Sequence, residues 1–301
     1  MQYSAEVQAA KAEGRAAPVW VAMEYRYTPG RPDPQHVEVA AEVGAARREA
    51  GAVPATMAVI GGTLHVGLEA DQLQSLGQAQ GVAKLSRADF AACLATGGTG
   101  ATTVAATMIA ARLAGIEVFA TGGIGGVHKG AETSFDISAD LLELAQTPVT
   151  VVAAGAKAIL DVPKTLEVLE TQGVPVIAYG QDSFPAFWSA QSDLSAPLRI
   201  DSAAEIARAH AMRRAMALPG GQLIANPIPA EDEIPAAELA PVIARAQAEA
   251  EAQGIAGKAV TPFLLQRIFE LTEGKSLAAN IALVRNNARL AARIAQELAA
   301  P

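Results

Sequence analysis

The residue best suited to covalent chemistry is Lys157, which ends the segment VVAAGAK at residues 151–157. The apolar run before it is typical of a buried β-strand, and the glycine marks the end of that strand. Most lysines are solvated surface charges, but a dry site disfavours the charged form and lowers the pKa of the amine. A neutral lysine amine can attack a carbonyl carbon. We therefore predict that Lys157 is a nucleophile at the end of a strand.

Two glycine-rich segments could hold a phosphate group. Residues 96–103 (TGGTGATT) run into a predicted helix whose N–H groups favour an anion, although a plain tight turn explains them equally well. Residues 120–130 carry four glycines between Thr121 and Val127, followed by His128 and Lys129. This segment lacks the G-x-G-x-x-G pattern with its later acidic residue, which excludes a nicotinamide cofactor. His128 is either a surface loop residue or a ligand, and the surrounding glycines favour a ligand.

Polar side chains in two further segments could contact the same substrate. Asp136, Ser138 and Asp140 alternate with apolar residues, and hard oxygen ligands of this kind suit Mn²⁺ or Mg²⁺ rather than Zn²⁺. Their spacing alone favours a simpler role, in which Asp136 caps the helix that follows. Lys84 lies in a strand-like run, where it is either an edge-strand charge or the partner of a phosphate.

Strands and helices alternate over most of the chain. The apolar, β-rich runs bounded by Gly or Pro are residues 19–23, 56–60, 82–85, 118–120, 149–153, 174–179 and 223–225. Helical periodicity covers residues 37–50, 102–114, 137–144, 165–172 and 203–216. This alternation predicts an α/β fold of three layers, α/β/α, in which helices cover both faces of a largely parallel sheet.

The last third of the chain is predicted to be helical. Its periodic segments are residues 236–253, 262–271 and 276–299, with Gly254 and Gly274 at expected helix ends. In the last helix an apolar stripe runs through Leu277, Ile281, Val284, Ala288 and Ala291. We predict an N-terminal arm over residues 1–17 and a single α/β domain over residues 18–301 with a helical C-terminal layer.

Charge and cysteine content exclude several classes of function. The net charge is −8, so the chain lacks the basic surface that binds a nucleic acid polymer. Cys93 is the only cysteine and lies in an apolar, Ala-rich stretch, which favours a buried small hydrophobe over a nucleophile. The N-terminus has no apolar signal core, and no stretch approaches the roughly 18 apolar residues of a membrane span. These features predict a cytoplasmic protein with no membrane partner.

Together these segments resemble the pseudouridine-5′-phosphate glycosidase family, which includes the indigoidine synthase A-like proteins. The resemblance runs from about residue 18 to residue 295. It is carried by GAVPAT (51–56), KLSR (84–87), GATTVAATM (100–108), FATGGIGGVH (119–128), DISAD (136–140), AGAK (154–157), FPAF (184–187), ANPIP (225–229), VTPFLL (260–265) and ANIALV (279–284). So many motifs in one order are highly specific.

The resemblance implies a role for each candidate residue. Lys157 matches the family's Schiff-base lysine, Glu24 its general acid and Asp136 its Mn²⁺ ligand, with Mg²⁺ as the other candidate metal. Sugar-phosphate contacts are implied for Lys84, Val104, Ser138, Ala139 and Asp140. Further active-site positions are implied for Thr121, His128 and Asn280. The implied substrate is ribose 5-phosphate together with an aromatic or nucleobase aglycone, and the implied assembly is a homotrimer.

One segment departs from the family pattern. The family reads Glu-Ser-Thr followed by His-Gly-x-Pro, whereas this chain has EYRYTPGRP at residues 24–32. Tyr25 and Arg26 suit a flat, polar aromatic through stacking and cation–π contacts, unless they merely repack the loop. We therefore expect a C-glycosynthase of the alnumycin type, which joins ribose 5-phosphate to an aromatic polyketide. The alternatives are a pseudouridine-5′-phosphate glycosidase and, in another class, a catalytically dead binding or scaffold protein.

Overall fold

A largely parallel sheet forms the centre of the computed structural model, which describes residues 1–12, 20–24, 51–255 and 257–300. Its main path has the order β1-β4-β3-β2-β7-β8-β11-β9-β10, and the short strands β5 and β6 pair with each other beside β3. The strands are β1 (Gln2–Tyr3), β2 (Trp20–Glu24), β3 (Val53–Ile60), β4 (Thr63–Val66), β5 (Ala83–Leu85), β6 (Gly100–Thr102), β7 (Val118–Ala120), β8 (Thr150–Ala153), β9 (Val176–Tyr179), β10 (Leu198–Ile200) and β11 (Gln222–Ala225). Among the described strands, only β3 with β4 and β3 with β6 pair antiparallel.

Helices cover both faces of this sheet. They are α1 (Ala5–Ala12), α2 (Ala70–Gln78), α3 (Arg87–Ala95), α4 (Val104–Ala114), α5 (Ala131–Ser134), α6 (Ala139–Gln146), α7 (Val162–Thr171), α8 (Ala203–Ala215), α9 (Ala236–Ala252), α10 (Val260–Leu271) and α11 (Lys275–Ala299). A 3₁₀ turn at Gly257–Ala259 precedes α10. No helix in the described ranges is long and apolar enough to cross a membrane.

Side chains of the central strands alternate between two cores, because successive residues of a strand point to opposite faces. Phe119 and Val151 belong to the larger core, whereas Val118 and Val152 belong to the core on the other face. Helices α4, α6, α9 and α10 contribute to the larger core, and α8 and the second half of α11 to the other. The predicted three-layer α/β/α fold is therefore confirmed, and the helical C-terminal region supplies helices to both outer layers.

The seven strands predicted from apolar runs are all present, within three residues at each end. Four of the five predicted helices among the alternating elements are present as α4, α6, α7 and α8. The fifth, at residues 37–50, and the predicted domain boundary after residue 17 lie outside the described residues. Within the predicted arm, α1 packs on the sheet through Val7 and Ala10, and β1 pairs with β4.

Candidate active site

A cavity of about 360 Å³ opens near the carboxyl ends of β5, β6, β7 and β8, where open α/β sheets commonly bind ligands. Eight of the eleven residues expected to act on the substrate or metal line it. They are Lys84, Val104, His128, Asp136, Ser138, Ala139, Asp140 and Lys157. Helix α10 closes another side with Thr261, Pro262 and Leu265. Residues from six separate sequence segments therefore meet at one place.

Lys157 is carried to the cavity by a fully buried strand, β8. All four residues of β8 are buried between β7 and β11. The chain then turns at Gly155, whose φ of +86° and close approach to the Pro185 carbonyl leave no room for a side chain. The Lys157 N–H donates to the Ile124 carbonyl at 3.1 Å, so the backbone is fixed where the lysine side chain, itself half-buried, reaches the cavity.

The glycine loop, residues 121–128, runs beside this extension of β8. Ala154 N–H donates to the Gly122 carbonyl at 2.9 Å, and Ile124 N–H donates to the Gly155 carbonyl at 3.1 Å. A side chain at Gly125 would collide with Ser138 Oγ, 2.2 Å from its Cβ position, so glycine is required where the loop meets α6. The loop is thus packed between the lysine segment and the start of α6, and it delivers His128 to the cavity.

Two helix N-termini face the cavity and could bind a phosphate. Thr103 caps α4 by accepting a hydrogen bond from Ala106 N–H at 3.4 Å, and Ser138 caps α6 by accepting from Asp140 N–H at 3.3 Å. Free N–H groups and the positive end of each helix dipole favour an anion at such positions. Lys84, on the neighbouring strand β5, adds a positive side chain.

Asp140 joins these two helix N-termini to the glycine loop. Its buried carboxylate accepts from Ala105 N–H at 2.9 Å and from Gly125 N–H at 2.8 Å. Because each oxygen already bonds a backbone amide, Asp140 positions the anion-binding groups around it. Its predicted direct contact with the sugar phosphate stays a prediction.

Replacing Asp140 with alanine should lower the free energy of unfolding by about 3 kcal/mol, because two buried N–H groups lose a charged acceptor. Urea unfolding followed by circular dichroism measures this change. The matched control is Asp193→Ala, which removes an exposed carboxylate and should alter stability by less than about 0.5 kcal/mol. Equal effects of the two substitutions would contradict this role of Asp140.

His128 lies among the charges of the cavity. Burial lowers the pKa of its imidazole, the Asp136 carboxylate raises it, and the ammonium groups of Lys84 and Lys157 lower it again. The net pKa is below the usual value, so His128 is neutral near pH 7 and can accept or donate a proton. The backbone N–H of His128 donates to the Asp136 carbonyl at 3.0 Å, which holds the two residues next to each other.

Asp136 does not cap the following helix, contrary to the expectation from spacing. The cap of α6 is Ser138, because the helix begins at Ala139, two residues later than an Asp136 cap would require. Asp136 instead lines the cavity as a half-buried carboxylate beside His128. The described residues contain no group of three or more His, Cys, Asp or Glu side chains that could hold a metal. One carboxylate fits Mn²⁺ or Mg²⁺ only with water and substrate oxygens as the remaining ligands.

Three expected site residues are placed differently. Thr121 is buried at the end of β7. Asn280 accepts a hydrogen bond from Trp188 Nε1 at 3.0 Å. Neither residue belongs to the described lining of the cavity. Glu24 ends β2, where its backbone pairs with Met57. The Met57 carbonyl accepts from the hydroxyl of Thr102, a lining residue, at 3.3 Å, so the Glu24 backbone lies near the cavity. Residues 25–32 lie outside the described residues.

Comparison with known proteins identifies the family. A family model described as indigoidine synthase A like protein matches residues 6–297. The chain belongs to the indigoidine synthase A-like family. Pseudouridine-5′-phosphate glycosidases are similar over nearly their full length. The one from Roseobacter denitrificans is 72% identical over 100% of this chain and 96% of its own. The one from Jannaschia sp. is 67% identical over 99% and 98%.

Solved structures of this family share the fold. The prealnumycin C-glycosynthase, in complex with ribulose 5-phosphate, superposes with a TM-score of 0.89 and is 39% identical, covering 99% of this chain and 96% of the other. An indigoidine synthase A-like protein from Thermotoga maritima has a TM-score of 0.87 at 33% identity, covering 95% and 94%. The predicted family resemblance is confirmed.

The structure adds residues that the sequence motifs of the family did not indicate. Fully buried Glu143 accepts a hydrogen bond from Arg87 Nη1 at 2.6 Å, linking the segment after Lys84 to α6. Buried Thr165 accepts from the Val127 N–H of the glycine loop at 2.9 Å. The sequence indicates a buried role for Glu143, because this charged residue lies within the apolar run LLEL at 141–144. No comparable sequence pattern indicates the role of Thr165, which is a threonine within a helix.

Cys93 is buried, as its Ala-rich surroundings in the sequence predict. Burial raises the pKa of its thiol, and the nearby Asp89 carboxylate raises it further. Since the thiolate is the reactive form, both effects argue against a nucleophile. Cys93 is also absent from the described lining of the cavity.

Proposed function

We propose that this protein cleaves the C–C glycosidic bond of pseudouridine 5′-phosphate to give uracil and ribose 5-phosphate. The observation that carries the proposal is the meeting of Lys157, His128, Lys84 and Asp136 with two helix N-termini around one cavity. A chain 72% identical to this one is named for that activity.

The names of the relatives support the glycosidase over the aromatic C-glycosynthase expected from residues 25–31. Pseudouridine-5′-phosphate glycosidases reach 72% identity, whereas the prealnumycin C-glycosynthase shares 39%. The scaffold alternative has less support, because Lys157, His128 and Asp136 line one cavity, as expected for a catalytic site. Ribose 5-phosphate is the sugar in either activity, and the homotrimer implied by the family resemblance remains part of the proposal.

The sugar phosphate would bind at the N-termini of α4 and α6. The positive ends of the two helix dipoles, together with the Lys84 side chain, would favour an anion there. Asp140 holds both termini in place through its two hydrogen bonds. The phosphate would therefore fix one end of the substrate and leave the ribose facing Lys157.

Lys157 supplies the route by which a C–C bond can break. A carbon leaving group has no lone pair to protonate, so the two carboxylates of an ordinary glycosidase do not suffice. The Lys157 ammonium first gives up a proton, O4′ takes a proton as the C1′–O4′ bond opens, and the free Lys157 amine forms a bond to C1′. When uracil C5 is protonated, the nitrogen lone pair forms C1′=N and the C1′–C5 electrons return to the uracil ring. Water then hydrolyses the imine, which releases ribose 5-phosphate and restores the amine.

Proton transfer to uracil C5 is assigned to Glu24, which ends β2 beside the strand bearing Met57. The neutral imidazole of His128 is suited to moving the proton that O4′ gains when the ring opens, because it lies near both Lys157 and Asp136. These assignments give Glu24, His128 and Lys157 one step each.

Asp136 would hold Mn²⁺ or Mg²⁺ with water and oxygens of the substrate as the other ligands. A divalent cation at this carboxylate would supply positive charge near the sugar phosphate when it is bound. The other carboxylate of the cavity lining, that of Asp140, already accepts from two backbone N–H groups, which leaves Asp136 for this role. Mg²⁺ commonly binds proteins through one or two carboxylates.

Asp136→Ala should abolish Mn²⁺-dependent stimulation and lower activity by about 100-fold. Binding of Mn²⁺ to the protein, measured by electron paramagnetic resonance, should be lost in parallel. Asp193→Ala removes an exposed carboxylate and should bind the metal like wild type. Full activity of the wild type in excess chelator would contradict a metal role for Asp136.

Two assays on the purified protein test the proposed function. The first measures uracil released from pseudouridine 5′-phosphate, and the second measures C-glycoside formed from ribose 5-phosphate and aromatic polyphenols. We expect uracil release at about 1–10³ s⁻¹, the range of typical enzymes. Aromatic C-glycoside formation without uracil release would instead favour the C-glycosynthase, and inactivity in both assays would favour the scaffold.

A further inference from the structure

A buried pair of asparagine side chains lies behind the glycine loop. Asn287, in the second half of α11, is fully buried, and Asn226, just after β11, is 3% exposed. Asn287 sits on the buried side of the helix between Leu283 and Leu290. A polar side chain at such a position is costly unless its hydrogen bonds are satisfied, so its partners indicate its purpose.

The partners of Asn287 fix the orientation of its amide. Its Nδ2 donates to the Thr121 carbonyl at 2.8 Å and approaches the Gly122 carbonyl at 3.4 Å. Its Oδ1 accepts from Asn226 Nδ2 at 3.0 Å. A carbonyl can only accept, and Asn226 donates from the other side, so each partner requires the same orientation of Asn287.

The pair connects the ends of three neighbouring strands. Thr121 N–H donates to the Val152 carbonyl at 3.0 Å, which joins the start of the glycine loop to β8. Asn226 N–H donates to the Ala153 carbonyl at 2.8 Å, which joins the end of β11 to β8. Asn287 therefore bridges the ends of β7 and β11 on either side of the strand that carries Lys157.

A short path of hydrogen bonds leads from Asn287 to Lys157. The Gly122 carbonyl also accepts from Ala154 N–H at 2.9 Å, three residues before Lys157. Two residues further along the loop, the Ile124 carbonyl accepts from Lys157 N–H at 3.1 Å. The Thr121–Gly122 segment held by Asn287 is thus the start of the loop on which the Lys157 backbone rests.

We infer that Asn287 is a positioning residue for the imine-forming step, acting through the carbonyls of Thr121 and Gly122 on the backbone of Lys157. The inference rests on the proposed function, since it assumes that Lys157 attacks C1′. Asn226 supports it by holding the Asn287 amide in the required orientation. Without this bridge the glycine loop would lose its buried anchor, and the amine would not be held at attacking distance.

Asn287→Leu, compared with Asn286→Leu, tests this inference. Asn286 is a neighbouring amide of the same helix that donates to the Pro227 carbonyl at 2.9 Å, so its replacement removes a similar bond away from the glycine loop. Three quantities are measured: hydrogen exchange of the peptide covering residues 119–128, the rate at which a borohydride-reducible adduct forms with ribose 5-phosphate, and the thermal unfolding midpoint. If Asn287→Leu does not fold, the same measurements are made on Asn226→Ala. This variant keeps Asn287 but removes the donor that fixes the orientation of its amide.

For Asn287→Leu we expect exchange in residues 119–128 to be about tenfold faster and adduct formation to be slower on the order of 10²-fold, with unchanged affinity for ribose 5-phosphate. Asn286→Leu should match wild type in both. A purely structural role would lower the unfolding midpoint and leave the adduct rate of the folded protein unchanged, which would overturn the inference. No adduct on wild type would contradict the proposed function instead, and unchanged exchange would still refute the anchoring role of Asn287.

Discussion

Replacement of Lys157 with alanine is expected to lower turnover of pseudouridine 5′-phosphate by about 10⁴- to 10⁶-fold, the loss seen when a covalent nucleophile is removed. No other described group is placed on the β8 extension at the cavity to form the bond to C1′. Binding of ribose 5-phosphate should survive, because Lys84 and the N-termini of α4 and α6 are unchanged. Turnover is followed by uracil release, and binding by calorimetry.

Lys129→Ala is the matched control for this substitution. Lys129 follows His128 directly but is exposed, and its Nζ donates to Gln247 on the surface at 2.9 Å. Its replacement should leave turnover within a factor of about three, as is usual for surface substitutions. A Lys157→Ala protein that keeps more than a tenth of wild-type turnover would rule out covalent catalysis by this lysine.

Glu24→Gln is expected to lower turnover by about 10²- to 10⁴-fold, the usual contribution of a general acid. Glutamine keeps the shape of the side chain but has no proton to give to uracil C5. Imine formation between Lys157 and free ribose 5-phosphate should persist, because that step involves no uracil. The two steps are separated by measuring uracil release and borohydride-reducible adduct on the same samples.

Glu231→Gln, at an exposed position, controls for the change in charge and should behave as wild type in both assays. Equal loss of adduct formation and uracil release in Glu24→Gln would place Glu24 in sugar handling rather than in proton transfer. Unchanged uracil release would remove Glu24 from the mechanism.

Much of the fold could be predicted because its strands are buried on both faces. The runs that became β7, β8 and β11 are apolar except for Thr150 and Gln222 and are followed by Gly, Thr or Asn, so their type and position could be predicted. The strands β1, β4, β6 and β10 were not predicted, because runs of two to four residues at the sheet margin carry no distinct pattern. Helix α3 was missed because its moderate apolar content lacks a helical stripe.

Parts of the candidate site could be predicted where the type of a single residue indicates its role. They could not be predicted where the role depends on the three-dimensional arrangement. Lys157 after an apolar strand and the glycines beside His128 could be recognised singly, and the structure brings them together. The N-cap of α6 could not be predicted, because Asp136 and Ser138 are both residue types that favour an N-cap. Ser138 is the cap because the helix begins at Ala139. In α11 the predicted stripe is confirmed at Ala288 and Ala291, which are fully buried, but not in the first half of the helix. There Leu277, Ile281 and Val284 are half-buried, whereas Ala279 and Leu283 are buried.

We propose that the aglycone side of the site depends on residues 25–32, which lie outside the described residues and differ from the pattern expected from the family resemblance. Because the proposed function requires uracil release at an ordinary enzyme rate, this segment is expected to keep hydrogen-bonding partners for uracil, whose loss reduces turnover on the order of 10⁴-fold in sites built for such contacts. The sugar side shows no such departure, because Lys84, Asp136, Ser138, Asp140 and Lys157 all line the cavity. The chemistry at C1′ is therefore the part of the proposal that the structure supports most directly.

Mapping of the reduced adduct on wild-type protein tests this chemistry most directly. The protein is incubated with ribose 5-phosphate, treated with borohydride, digested and analysed by mass spectrometry. The account predicts one pentose phosphate per chain, attached to Lys157, with none on Lys84 or Lys129. An adduct on Lys84, or no adduct in a protein that releases uracil, would contradict the imine mechanism at Lys157.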